Sequence, residues 1–192
     1  VKRLGLTPLA RIIGMATAMA LVERNDISLI VLEAEPILAA HQTGHNSGVV
    51  HSGLYYKPGS LKAKLCAEGR DLMYQFCRQR GIAHDACGKV VVALNESELP
   101  ALEELQRRGT ANGLADLRHL SIEEIREHEP NVSGIAGLFV RETGIADYKH
   151  VTRAYGEVIQ QSGGDVRTSA KVKSVSRHGN ELVLETTQGP IS

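Results

Sequence analysis

Residues 41–56 read HQTGHNSGVVHSGLYY, with three histidines, three glycines and two tyrosines in sixteen positions. An imidazole exchanges a proton near neutral pH, and a glycine lets backbone lie close against a flat ligand. Thr43, Asn46 and Ser47 add hydrogen-bonding groups. A stretch that only turned the chain would not need this set, so the composition asks for a ligand. Metal ligation by His41, His45 and His51 is the competing chemistry. It lacks an HExxH pattern or an acidic partner at ligand spacing, and no metal is expected.

The stretch follows SLIVLE, residues 28–33, which is apolar on both faces as a buried parallel strand is. Before it, Ile12, Met15, Met19 and Val22 repeat at helical spacing over residues 12–24. After it, a helix is expected over residues 60–80, with Leu61, Leu65, Leu72 and Phe76 inward and Gly81 as its stop. Cys66 and Cys77 are expected to be packing residues of that helix, and Lys62 and Lys64 its solvated face. Farther on, residues 88–95 read as a strand and 96–108 as a helix with Leu99, Leu102 and Leu105 on one side. Ser121 and Glu124 form a capping box with Leu120 and Ile125 as its hydrophobic staple, ended by Pro130.

The last section begins at Asp147, an N-cap for a helix that turns Val151, Ala154, Tyr155, Val158 and Ile159 inward. Segments 170–177 and 181–188, joined by His-Gly-Asn, form a hairpin. The order implies an α/β chain: a doubly wound, Rossmann-like domain over 1–86 and 147–192, interrupted by a smaller α+β insertion over 87–146.

Such a domain binds a dinucleotide through a strand, a glycine turn, a helix and an acid ending the second strand. Glu33 stands 19 residues beyond Gly14, close to the roughly 20 expected of a ribose-binding carboxylate. Gly14 fits the third glycine of the turn. Leu9 and Arg11 occupy the places of the first two, where side chains obstruct a pyrophosphate. Residues 1–11, with Pro8 and no apolar run, make a poor first strand. The competing reading is an unliganded βαβ unit with Glu33 as a solvated acid.

Lys+Arg and Asp+Glu balance at 22 each, so no bulk charge draws the chain to nucleic acid. The three cysteines form no CxxC pair, which suits a reducing compartment. Lys2, Arg3 and the apolar run at 12–22 imitate a signal peptide, but the run is shorter than the about 20 residues that span a bilayer.

The segments IIGMATAMAL, LEAEP, HQTGHNSGVVHSGLYYKPGSLKAKLC, CGKVVVA, the EPN at 129–131 and TGIADYKHVTRAY resemble the FAD-dependent L-2-hydroxyglutarate oxidase/dehydrogenase family. That family lies within the D-amino-acid-oxidase-like (DAO) flavoproteins. The likeness covers roughly residues 12–192, the N-terminal portion of longer family members. It implies oxidation of an α-hydroxy acid, L-2-hydroxyglutarate to 2-oxoglutarate, by hydride transfer to flavin. It also implies an FAD-binding domain over 1–86, continued over 147–192, and a substrate domain over 87–146.

In that family frame His51 is the candidate proton acceptor. Gly14, Glu33, Thr43, His45, Asn46, Ser47, Gly48 and Val172 are candidates for holding FAD, and Val172 would act through its backbone beside the adenine. Tyr55 and Tyr56 are candidates for the substrate side. The implied partners are a small α-hydroxy acid and an electron acceptor, oxygen or a membrane quinone. The implied location is the cytoplasm, or peripheral attachment to the inner membrane. Two alternatives stay open: a remnant that holds no cofactor, and an FAD-dependent amine or amino-acid oxidase of the same fold.

Overall fold

A strand apolar on both faces must be covered on both, and residues 27–32 show how this is met. The computed structural model describes residues 2–6, 11–24 and 27–192. In chain order its elements begin β1 (Lys2–Leu6), α1 (Ile12–Val22), β2 (Ile27–Leu32), β3 (Val49–Val50), α2 (Leu61–Arg80), β4 (His84–Asp85), β5 (Lys89–Ala93) and α3 (Leu99–Ala111). They continue β6 (Leu117–Leu120), α4 (Ile122–His128), β7 (Ala136–Val140), β8 (Gly144–Ala146), α5 (Tyr148–Gln161), β9 (Asp165–Arg167), β10 (Val172–His178), β11 (Glu181–Thr186) and β12 (Gly189–Ile191). By contact the chain divides into two compact units, Val1–Asn46 with Asp147–Ser192, and Ser47–Ala146. This division follows contact, whereas the division at 86/87 follows composition.

In the first unit β2 is the middle strand of β1-β2-β9, parallel to both neighbours. Leu29, Val31 and Leu32 are buried, which a central parallel strand requires. The expectation of a poor first strand is corrected. Lys2–Leu6 pairs with β2 in register from Lys2 opposite Ile27 to Leu6 opposite Val31. Pairing runs through backbone and needs no apolar run, and Pro8 lies outside the described residues.

Helix α1 buries Gly14, Met15, Ala18 and Val22, and α5 buries Val151, Ala154, Tyr155, Val158 and Ile159 as its periodicity predicts. Asp147 caps α5 by accepting the His150 N–H at 3.1 Å. A methyl added at Gly156 would stand 3.4 Å from Met15 Cε, so the glycine lets α5 close on α1. The expected hairpin is β10 and β11, turned at Gly179 with φ +62°. The third strand β12 extends it and carries no sequence signal.

The second unit holds two antiparallel sheets, β5-β7-β6 and β3-β8-β4. Leu54, Ala93, Leu102, Leu114, Leu138 and Val140 form one core cluster, with Leu99 and Leu105 packed against it. Full burial of a side chain such as Leu54 contributes about 1.5–3 kcal/mol. The capping box forms as read: the Ser121 side chain accepts the Glu124 N–H, and Glu124 accepts the Ser121 N–H. Leu120 and Ile125 meet in a second cluster with Phe139.

Helix α2 corrects the sequence reading of its inward face. Ser60 caps its start and Gly81, at φ +62°, ends it, yet Leu61, Leu65 and Leu72 are 71%, 57% and 64% exposed. Phe76 is half-buried, and with it the covered stripe is Ala63, Cys66, Ala67, Arg70, Met73, Tyr74 and Cys77. Both stripes have helical spacing, so periodicity alone does not choose between them. Small residues win because backbone lies against them: a methyl at Gly53 would stand 3.6 Å from Cys66 Sγ.

Candidate functional site

In the first unit, β1, α1 and β2 form the parallel strand–helix–strand that places a helix N-terminus by the strand ends. Helix α1 starts without a cap of its own, since Arg11 is extended (φ −77°, ψ 164°) and makes no side-chain cap bond. The hydroxyl of Thr43 accepts the Ile12 N–H instead, at 3.3 Å. Thr43 is buried, so that hydroxyl is fixed at the helix start. Gly14 is buried one turn in. Arg11 is exposed, and Leu9 lies outside the described residues.

Glu33 sits one residue beyond β2 and is held rather than loosely solvated. Its N–H donates to Arg167 O and its carbonyl accepts the Ala170 N–H, both at 2.8 Å. Its Oε1 accepts the Glu35 N–H at 3.0 Å, and a carboxylate keeps further acceptor positions after one such bond.

Val172 lies in β10, the edge strand of its sheet. Its neighbour Lys171 bonds Thr187, accepting the Thr187 N–H and donating its own N–H to Thr187 Oγ1, each at 3.0 Å. Alternate residues of an antiparallel strand turn their backbone groups to opposite sides. Val172 therefore turns its N–H and C=O to the open edge, where no strand pairs among the described residues.

The loop from His41 to Asn46 is built around a single 3-10 turn at Gln42–Gly44. His45 Nδ1 lies 2.9 Å from His41 O. Asn46 Nδ2 donates to Gln42 O at 3.0 Å and Thr43 O at 2.6 Å. His41 Nε2 is 3.0 Å from Glu35 Oε1. Gly44 is required by closeness, since a methyl there would stand 2.2 Å from Ala39 O.

The second unit carries the rest. Ser47 is exposed, and Gly48 follows at φ +71°, its carbonyl accepting the Ala146 N–H at 2.9 Å. Val49 and Val50 pair with Ile145 and Gly144. Then the chain makes an elbow in which Ser52, Gly53 and Leu54 are buried while His51 and Tyr55 face solvent. Gly53 has φ +93°, a conformation open to glycine.

Three distant groups fix this elbow. Cys66 Sγ donates to His51 O at 3.3 Å, and Thr143 Oγ1 donates to Ser52 Oγ at 3.0 Å. Asn112 Nδ2 donates to both Gly53 O and Tyr56 O, at 3.1 and 2.9 Å. Among the described residues no hydrogen bond engages the His51 ring. Lys89 Nζ lies 4.4 Å over the Tyr55 ring and donates to its Oη at 3.4 Å, and Lys62 Nζ lies 4.5 Å over the Tyr56 ring.

Sequence reasoning missed Ser52, Lys89, Asn112 and Thr143, and read Cys66 only as packing. Of these, only Asn112 carries a signal, an Asn-Gly pair at a helix end. Burial pushes the thiols of Cys66 and Cys77 above their usual range, opposed at Cys66 by Arg70 and Lys62 and at Cys77 by Arg78. Cys77 is fully buried as a packing residue. Among the described residues no cluster of three His, Cys, Asp or Glu side chains is placed to hold a metal, and no helix is long and apolar enough to cross a membrane.

The donor set suits a dinucleotide in kind: a helix N-terminus with a fixed hydroxyl, a buried Gly14, a strand-end carboxylate and an outward backbone at Val172. Arg11 is the one described feature that opposes it.

Comparison with known proteins points the same way. The L-2-hydroxyglutarate dehydrogenase of Escherichia coli (strain UMN026) is 46% identical over 179 residues, 93% of this chain and 42% of that protein. The mitochondrial L-2-hydroxyglutarate dehydrogenase of Homo sapiens is 46% identical over 165 residues, covering 85% of this chain and 36% of that protein. The chain thus spans less than half the length of these curated relatives.

Among solved structures, the FAD-bound L-α-glycerophosphate oxidase of Mycoplasma pneumoniae superposes with a TM-score of 0.83 at 29% identity, over 93% of this chain and 48% of that one. Glycine oxidase from Geobacillus kaustophilus, at 18% identity and TM-score 0.80 over 95% of this chain and 51% of that one, shares the fold. A family model described as FAD dependent oxidoreductase matches residues 12–191. The chain belongs to this DAO family of FAD-dependent oxidoreductases.

Proposed function

We propose that this chain is the N-terminal part of a flavoenzyme that oxidises L-2-hydroxyglutarate to 2-oxoglutarate. The observation that carries the reading is the elbow at residues 51–56. Cys66 and Asn112 fix its backbone and Thr143 its Ser52 side chain, while the His51 ring is exposed and, among the described residues, makes no hydrogen bond. A fold that holds backbone so firmly under an unengaged imidazole presents that imidazole to something else.

FAD, when bound, supplies the acceptor for the hydride that leaves the substrate α-carbon. Gly14, Glu33, Thr43, His45, Asn46, Ser47, Gly48 and Val172 are the residues that would hold it. Functionally, residues 1–86 and 147–192 would form the FAD-binding part and 87–146 the substrate part. A ring nitrogen of His51 takes the substrate hydroxyl proton as the C–H electron pair departs and the C–O bond becomes a carbonyl. Tyr55 and Tyr56, each beside a lysine ammonium, line the substrate side, where cations suit a dicarboxylate. Oxygen or a membrane quinone would then receive the electrons. Three free thiols suit a cytoplasmic setting, with peripheral membrane attachment as the alternative.

A second reading, a chain that holds no cofactor, draws on Arg11 at the cap of α1. Titration with FAD, followed by flavin fluorescence, decides this for the chain itself, and weak binding that strengthens in Arg11→Gly is expected. Tight, stoichiometric binding by the unaltered chain would remove the obstruction argument. For the reaction, the histidine aligned with His51 in a full-length family dehydrogenase is changed to alanine. Flavin reduction should slow by about 10²–10⁴-fold, with FAD retained. Unchanged reduction kinetics would leave His51 a loop residue only.

A further inference from the structure

The His51 reading leaves one question of geometry: what aims an exposed imidazole on a loop. The residue that touches His51 through the fold is Cys66, which projects from the second turn of α2. Its Sγ donates to His51 O at 3.3 Å. The same sulfur lies beneath Gly53, where an added methyl would stand 3.6 Å from Sγ and 3.7 Å from Cβ. One side chain thus bonds the start of the His51–Gly53 bend and stands on the side where a Gly53 substituent would point.

We propose that Cys66 is a positioning residue for His51, its thiol fixing the His51 carbonyl and so the direction in which the imidazole leaves the backbone. This rests on the reading of His51 as proton acceptor. A thiol can donate only while protonated, and burial pushes the Cys66 thiol up from its ordinary range, so the donor persists at neutral pH. Bonds from Thr143 and Asn112 reach Ser52, Gly53 and Tyr56. Among the described bonds, only Cys66 reaches His51 itself.

Three variants of the chain separate donor from bulk. Cys66→Ser keeps a donor of similar size, Cys66→Val keeps bulk without a donor, and Cys66→Ala has neither. The readouts are the side-chain NMR resonances of His51 and the exchange rate of the Tyr56 amide, which donates to Gly53 O at 3.1 Å. Cys66→Val and Cys66→Ala should move the His51 resonances and raise that exchange about fivefold, the factor for one net hydrogen bond. Cys66→Ser should stay near the unaltered chain. If Cys66→Val also keeps the original resonances, the residue is packing and the proposal is overturned.

The FAD-loaded full-length family enzyme gives the functional arm. Valine at the aligned cysteine should lower kcat roughly tenfold, a mispositioning effect, with KM little changed. An unaltered kcat alongside displaced His51 resonances would overturn the positioning role. The His51 reading fails separately, if alanine at the aligned histidine leaves flavin reduction unchanged.

Discussion

Two pieces of one sixteen-residue stretch are held in different ways. From His41 to Asn46 the bonds of His41, His45 and Asn46 reach partners six or fewer residues back, while Thr43 accepts the Ile12 N–H from 31 positions away. From His51 to Tyr56 the partners come from 15, 56, 59 and 91 positions away. The first piece is organised largely by local bonds and pinned to α1 through Thr43; the second is organised by the fold around it. A loop bonded mostly to its own neighbours depends less on the rest of the fold, whereas a scaffolded elbow holds only if α2, α3 and the β7–β8 turn are in place. Both pieces turn side chains outward, His41, His45 and Asn46 from the loop and His51 and Tyr55 from the elbow.

Glycine substitutions test this contrast most severely. A methyl at Gly44 would meet Ala39 O at 2.2 Å and Lys149 Cε at 2.8 Å. Backbone must then move, and Gly44→Ala should destabilise by about 3 kcal/mol, the upper range for overpacking. Gly53→Ala has room against Cys66 but must keep φ at +93°, which costs about 1–2 kcal/mol in backbone strain. Urea denaturation of both variants checks the order. A larger loss for Gly53 would mean that the elbow, and not the loop, is the tighter piece.

The asparagines give the next step down. Asn112→Ala removes two bonds to elbow carbonyls and should cost about 2 kcal/mol, with faster exchange at Tyr56. Asn46→Ala removes bonds to its own loop and should cost about 1 kcal/mol, with no change at Tyr56. Amide exchange measured residue by residue separates the two. Equal effects on the elbow would erase the distinction between a locally bonded and a scaffolded piece.

The same distinction explains what could be read from the residues alone. Helix α5, the capping box at Ser121 and Glu124, and the β10–β11 hairpin were legible because each is specified within about one helical or strand period. The central place of β2 was legible because apolar residues on both faces admit few other positions. The inward face of α2 was not, since Leu61, Leu65 and Leu72 compete with Ala63, Cys66 and Cys77 at the same spacing and only tertiary contact decides. Strand β1 was not, because parallel pairing makes no demand on side chains that residues 2–6 could display. At the candidate site Thr43 was found by type, yet its bond to the α1 terminus spans 31 residues and has no local sign. Asn112 and Thr143 bond the elbow from farther still.

The smallest effect tests the scaffold through its charge. On α3, Glu104 accepts bonds from Arg107 Nε and Nη2 at 2.8 Å and from Arg108 Nε at 2.7 Å. Hydrogen bonds from Arg107 first, and Arg108 next, hold its carboxyl down at about 2, from an ordinary 4.5. Because the folded value is the lower one, the contribution is present in full above about pH 4.5 and is lost as pH falls through about 2. The pair is largely exposed, so the effect is small and screened by salt. Glu104→Gln should lower Tm at pH 7 by less than Asn112→Ala does, and the gap to the unaltered chain should narrow as pH falls below 4.5. Arg108 O also accepts the Asn112 N–H at 2.9 Å, which links this charge cluster to the residue that clamps the elbow. Any loosening in Glu104→Gln should therefore show at the Tyr56 amide and leave the His41–Asn46 loop untouched. A response confined to that loop would mean that α3 does not scaffold the elbow.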